Sequence, residues 1–243
     1  MATFTSYKRY LAPCVAILAI AVAIGGGFGG ASGAVVKGHV TEIDLENALR
    51  FEAGLLSSGP GVSGAKVTLV GPESHMTTTD SFGRFTFANV SPGTYHVVVR
   101  KSGFASVNAY DVRVVSYGTN EVELRMVKPK EGSYIYETNP PTVSVSCPSL
   151  VSGTVNIHAS ASDASGINGI LLFIDSSYVA LFDTGTEGTY QWDTLSRESG
   201  ADNGGHTITA MAIDNYGNIG YRSIVVTVHN IGLPVQAPKP PIN

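Results

Sequence analysis

Between residues 63 and 104 apolar and polar side chains alternate. Val67 and Leu69 share one phase, as do Phe85 and Phe87, then Tyr95, Val97 and Val99. A period of two sends each set to one face of a strand, so residues 66–70, 84–90 and 94–100 read as half-buried antiparallel strands. Turn chemistry separates them. Asp80-Ser81-Phe82-Gly83 offers a capping carboxylate and a glycine for positive φ, and Ser91-Pro92-Gly93 fixes one φ and frees the next. Apolar faces on strands this short need a second sheet to pack against. Residues 35–40, 107–115 and 120–126 supply further strands, while 41–61 reads as a long inserted loop with a helical turn near 45–51.

A second series follows, at 142–147, 154–161, 170–175, 178–182, 189–193, 206–214 and 221–228. Short strands at this spacing predict an immunoglobulin-like sandwich. The fold class expected is therefore all-β, two tandem β-sandwiches after an N-terminal apolar helix. The divisions are 1–34, 35–127, a linker at 128–141, 142–229 and a tail at 230–243. Pro129, Pro140 and Pro141 interrupt the linker, with Tyr134, Ile135 and Tyr136 expected between the domains. Pro234, Pro238, Pro240 and Pro241 make the tail extended.

One feature of the second series breaks the simple alternation. If Ile170, Leu172 and Ile174 face the core, Leu171 and Phe173 face outward. If Ile208, Ala210 and Ala212 are core, Met211 and Ile213 are outside, and Val225 joins them. These strands are neighbours in such a sandwich, so Leu171, Phe173, Met211, Ile213 and Val225 form one apolar patch, the mark of an interface. The contact is the first domain, the 41–61 insertion or another protein. A register shifted by one residue would instead bury all five inside their own sandwich.

GAKVTL, TTTDSFGRFTFANVSPGTYHVVV and RKSGF, in that order, resemble the carboxypeptidase regulatory-like domain, a transthyretin-like sandwich. The resemblance implies packing roles for Phe85, Phe87, Val90, Tyr95, Val97, Val99 and Phe104. A related surface-protein fold makes Lys–Asn crosslinks helped by a buried carboxylate. Here the strand after the Pro-Gly turn ends Val99-Arg100-Lys101, without the Glu such chemistry uses. PPTVSVSCPSLVSGTVNIHASASDASGI, LLFID, YQWDT, GGHTITAMAIDNYGN and IVVTV resemble the bacterial and archaeal Ig-like domains of exported proteins. That likeness implies spacing, adhesion or accessory binding, with no shared active site, and a buried position for Trp192.

The N-terminus fixes the compartment. Lys8 and Arg9 precede an apolar run over 11–24, and small residues follow to Ala34. These are the parts of a secretory signal peptide. Extended to Phe28, the run also reaches the lower limit for a membrane span, a signal anchor with the body outside. Cys14 lies in this leader, which leaves Cys147 alone and excludes a disulfide framework. In phase with Val143 and Val145, Cys147 reads as a small buried hydrophobe. A net charge of −4 without clustered Lys and Arg excludes a nucleic-acid surface.

Chemistry is sparse. The six histidines lack metal-ligand spacing. Ser63-Gly64-Ala65-Lys66 matches SxxK but opens a strand rather than a helix. Asp163, Asp214 and Asn218 fall in turns at adjacent strand ends, where such clusters bind calcium or, more ordinarily, cap backbone amides. Asn89-Val90-Ser91 is a glycosylation sequon followed by Pro92. No catalytic residue, metal ligand or cofactor is assigned. The reading is a non-enzymatic exported structural, adhesive or protein-interaction module at the cell surface. Its partner is a protein or a surface glycan, and the membrane is met only through the N-terminal segment. The alternatives are an accessory carbohydrate-binding protein and a detached non-catalytic part of a surface peptidase or glycosidase.

Overall fold

A computed structural model describes residues 33–43, 59–116, 119–129, 137–196 and 201–230. The leader, most of the insertion, Tyr134–Tyr136 and the proline-rich tail lie outside these residues. No helix among the described residues is long and apolar enough to cross a membrane.

The described chain is all β. The first half forms β1 (Ala34–Ile43), β2 (Lys66–Val70), β3 (Ser74–Thr78), β4 (Arg84–Val90), β5 (Gly93–Arg100), β6 (Val107–Val114) and β7 (Thr119–Val127). The second half forms β8 (Thr142–Ser146), β9 (Leu150–Val151), β10 (Thr154–Ser162), β11 (Ile167–Ile174), β12 (Ser177–Phe182), β13 (Glu187–Asp193), β14 (Gly204–Asp214) and β15 (Ile219–Val228). Two of these, β3 and β9, carry no apolar alternation strong enough to announce them. β3 is held by five antiparallel pairs to β2 rather than by buried side chains. β1 also outruns its expectation. Its last residues reach Ile43 in parallel with β7, and Thr41 bridges Gly61, so 41–43 are strand rather than loop.

The turns do what their residues dictate. Asp80 Oδ1 accepts the amides of Phe82 and Arg84, both at 2.9 Å, and Gly83 takes φ 79°. Those bonds hold the Asp80 carboxyl below its ordinary range, the Arg84 amide contributing most. Across β1 and β4, Gly38 lies opposite Phe85, and a Cβ there would sit 2.2 Å from the Phe85 ring. The glycine is what lets that ring slide under β1.

β4-β1-β7 forms one small sheet and β13-β10-β8 another. Everything else joins a single long sheet, β12-β11-β14-β15-β6-β5-β2-β3, with β9 paired to the far end of β15. The two sandwiches therefore share a layer. Its seam is a parallel ladder of Ile219, Gly220, Tyr221 and Arg222 against Val107, Asn108, Ala109 and Tyr110. A bulge in β6 ends the seam: Asp111, at φ 58°, is extra relative to β5 and meets Arg222 of β15 as an ion pair.

Alternation along β11 and β14 splits between two cores. Ile170, Leu172, Ile174, Ile208, Ala210 and Ala212 belong to the core of the second sandwich. Leu171, Phe173, Met211 and Ile213, with Ile219 and Tyr221 of β15, belong to the same apolar cluster as Val67, Tyr95, Val97 and Leu124 of the first. Strands covered on both faces read as continuous apolar runs, which explains the ILLFI of β11.

Tyr221 carries a cost at this seam. Its ring is buried, and its hydroxyl proton finds no acceptor, the backbone amide of Arg125 being the polar group directed at its oxygen. Burial pushes the phenol up to about 12. An unsatisfied buried donor costs about 1–3 kcal/mol, so Tyr221→Phe is expected to raise stability by about 1 kcal/mol. Urea denaturation of the two proteins measures it; a Phe variant less stable than the parent would show that the hydroxyl is bonded.

Candidate functional site

The seam is also where the ionisable groups gather. β14 ends at Asp214 and β15 begins after a tight turn through Gly217 (φ 83°). Asp214 Oδ1 accepts the amides of Tyr216 and Asn218, both at 2.8 Å. Its Oδ2 accepts the Asn218 side-chain amide at 2.8 Å. The same amide reaches Glu137 Oε2 at 3.1 Å and the Glu137 carbonyl at 3.3 Å. Asn218 Oδ1 accepts the Ser106 amide at 2.7 Å, and the Ile219 amide returns to the Ser106 carbonyl at 2.9 Å. One buried asparagine thus ties the chain entering the second sandwich, the β14–β15 turn and the start of β6.

Asp163 completes the cluster from the turn after β10. Carboxylate oxygens of Glu137, Asp163 and Asp214 lie within 4.8 Å of one another. Burial raises the Asp214 carboxyl above its usual range, and the Asp163 charge adds to the rise against the pull of its three hydrogen bonds. An oxygen-only set of this kind suits a hard divalent cation. Here the Asn218 amide already places its hydrogens between Asp214 and Glu137, and Asp163 Oδ1 accepts the Ser165 amide at 2.7 Å. The capping role that Asp and Asn turns imply accounts for these contacts. Glu137 was not legible as a member; it lies within the linker, and only the fold brings it to Asn218.

The residues expected to form an apolar patch divide. Leu171, Phe173, Met211 and Ile213 are buried, turned away from the core of their own sandwich and into the cluster of the first. Val225 is 64% exposed and stands apart from them. The reason is register: β15 meets β6 only over its first four residues, and Val225 pairs with Thr207 beyond the end of that ladder.

The other singled-out residues are spread over the molecule. Phe85, Phe87, Val90, Tyr95, Val97 and Val99 are buried and Phe104 packs on their cluster, as the first resemblance implies. Trp192 is buried, as the second resemblance implies. Cys147 is half-buried against the second core. His96 and His158 are exposed on strand faces, and Ser63 is an exposed turn residue whose carbonyl accepts Lys101 Nζ. Asn120 and Asn218 are buried, and their partners are Val35, Val115, Ser106, Glu137 and Asp214, none of them a lysine.

A shallow cleft of about 370 Å³ lies on the outer face of β4-β1-β7. Lys37, His39, Arg84, Thr86, Glu121 and Glu123 line it. Parallel pairing sets Lys37 beside Glu121 and His39 beside Glu123, with His39 Nδ1 3.5 Å from the Glu123 carboxylate. Burial lifts the Glu123 carboxyl above its usual range. The arrangement is a cross-strand charge ladder. Sequence reading missed it because nothing local announces that β1 and β7 pair in parallel.

Two outcomes are expected from this geometry. Phe173→Ala should cost about 3–5 kcal/mol, the range for a buried aromatic, whereas Val225→Asp should stay within about 0.5 kcal/mol. Equal costs in a denaturant titration would mean that the two positions share an environment. Asn218→Ala should cost about 3 kcal/mol by leaving the Ser106 amide unpaired and two carboxylates without a common donor. Amide exchange at Ser106 and Ile219 should then accelerate before that of β10; unchanged exchange there would deny Asn218 its bridging role.

Residues 56–127 match the model of the carboxypeptidase regulatory-like domain. Residues 141–210 match that of the bacterial Ig domain. Comparison with curated proteins gives no match. Among solved structures, the fibronectin(III)-like modules of CbhA from Clostridium thermocellum are 20% identical over 80% of this chain and 91% of theirs, with a TM-score of 0.32. A cohesin–X-dockerin complex from Acetivibrio cellulolyticus is 22% identical over 39% of this chain and 57% of that one, at 0.29. The major pilin subunit of Bacillus cereus is 12% identical over 82% and 69%, at 0.29. Scores this low carry nothing about binding. The family models, with the motifs and strands described above, show that the chain carries a carboxypeptidase regulatory-like domain followed by a bacterial Ig domain.

Proposed function

We propose that this is a non-catalytic module exported to the cell surface, in which two sandwiches act as one rigid body that presents a protein or glycan partner. The observation that supports this most directly is the shared sheet with its two-faced strands. A construction in which β11, β14 and β15 serve two cores resists bending at the domain boundary, the property a spacer or adhesive stalk needs. Where ionisable groups converge, at the Asp214–Asn218 turn and on the β1–β7 ladder, they bond to each other or to the main chain. The basic and apolar N-terminal segment supports export, by a cleaved signal peptide or a retained anchor.

Crosslinking the native surface fraction and analysing it by mass spectrometry tests this reading. The expected result is a chain recovered outside the cytoplasm, its N-terminus either near Ala34 or intact, crosslinked to a surface protein or envelope glycan. Recovery from the cytoplasm, or turnover of peptide or glycoside substrates by the purified chain, would remove it.

A further inference from the structure

His206 stands at the start of β14, at the end of the second sandwich opposite the Asp214 turn. Its ring touches two groups that only accept hydrogen bonds. Nδ1 meets the Asp175 carboxylate, and Nε2 lies 2.7 Å from the Asp202 carbonyl. An imidazole satisfies both only by carrying two protons. The ring also lies edge-on to buried Trp192, with centroids 5.9 Å apart.

Each contact belongs to a different element. Asp175 and Ser176 form the tight β11–β12 turn, at φ 48° and 70°. The other oxygen of Asp175 accepts the Thr207 amide at 2.9 Å. Asp202 lies in the segment that leads from β13 into β14. Its neighbour Asn203 accepts the Asn230 amide at 2.7 Å, just where the chain leaves β15. Ala201 in the same segment donates to the Thr194 carbonyl at 3.1 Å.

We propose that His206 is a proton-operated clasp: its imidazolium pins the 201–203 segment, and through Asn203 the exit of the chain at Asn230, to the β11–β12 turn. When the ring loses a proton, the charge-assisted bond to Asp175 is the stronger and keeps the remaining one. The arm to the Asp202 carbonyl is released. The titratable groups facing the ring are Asp175 from the hairpin and Asp202 from the preceding segment, both acids; β13 contributes Trp192, which does not titrate. Burial alone would lower the ring's pKa. The Asp175 bond, the Asp202 carbonyl and the two negative charges outweigh it, so the folded value stands above the ordinary one. With the folded value raised, the clasp is complete below about pH 6.5, where unfolded histidine titrates, and is lost as pH rises through the folded pKa.

Nuclear magnetic resonance of the full chain from pH 5 to 9 tests this, reading the His206 ring nitrogens together with amide protection. Expected is a doubly protonated ring at pH 6 that titrates above a free imidazole. Protection at Ala201 and Asn230 should then fall, relative to Thr207, by about tenfold for each unit of that excess. Thr207 is the internal control because its acceptor, Asp175 Oδ1, survives deprotonation. His206→Gln should abolish the pH step at Ala201 and Asn230. A ring with one proton at pH 6, a titration at or below that of free imidazole, equal protection on both sides of it, or a step that persists in the Gln variant would each overturn the clasp. If the variant fails to fold, the wild-type titration decides alone.

Discussion

The structure depends on one short parallel ladder, β6 against β15. Each strand would otherwise end a sheet, with a row of unpaired amides and carbonyls inviting foreign strands. Pairing them covers the first four residues of each edge and turns two half-sheets into one. Backbone pairing alone is too weak to hold domains together over four residues. The apolar contribution is larger: each fully buried Leu, Ile, Met or Phe is worth about 1.5–3 kcal/mol, against about 1 kcal/mol or less for a partly exposed ion pair such as Arg222–Asp111. Hydrophobic burial therefore dominates the seam, and the ladder and the Asn218 network set its register.

That seam is crowded. A Cβ on Gly220 would stand 2.2 Å from the Pro141 carbonyl, so β15 passes the start of β8 only because no side chain intervenes. Asp111 accepts a left-handed φ there, and the bulge it makes lets β6 leave β15 and continue with β5 alone. Tyr221 tolerates a hydroxyl proton without an acceptor in the same place. Such local concessions persist where the surrounding packing over-determines the backbone. The two ends of the second sandwich consequently differ. Its Asp214 end is fused to the first domain, while its His206 end meets solvent and the departing chain.

Much of the fold was legible because the relevant forces are local. Alternation in β2, β4 and β5 reflects one buried face, and Asp80 with Gly83 fixes a turn whatever surrounds it. In the ILLFI and AMAI runs, the residues out of phase with their own core, Leu171, Phe173, Met211 and Ile213, belong to the cluster of the first sandwich. Val225 shows where that reasoning stops. Phase says which face a residue takes, but coverage depends on how far the partner strand runs. β3 and β9 were silent because pairing, not burial, defines them. Glu137 and the β1–β7 charge ladder were silent because long-range pairing leaves no trace in neighbouring residues.

The sequence by itself determined the all-β class, the turns, the order of the two domains and the apolar alternation of strands such as β2, β4 and β5, since period and turn chemistry act over a few residues. Only the tertiary structure decided that the sandwiches share a sheet, that Asn218 and Glu137 meet, and that His206 faces two acceptors at once. Those facts rest on pairing and packing between residues far apart in the chain, whose free energy exists only when the whole body closes around them.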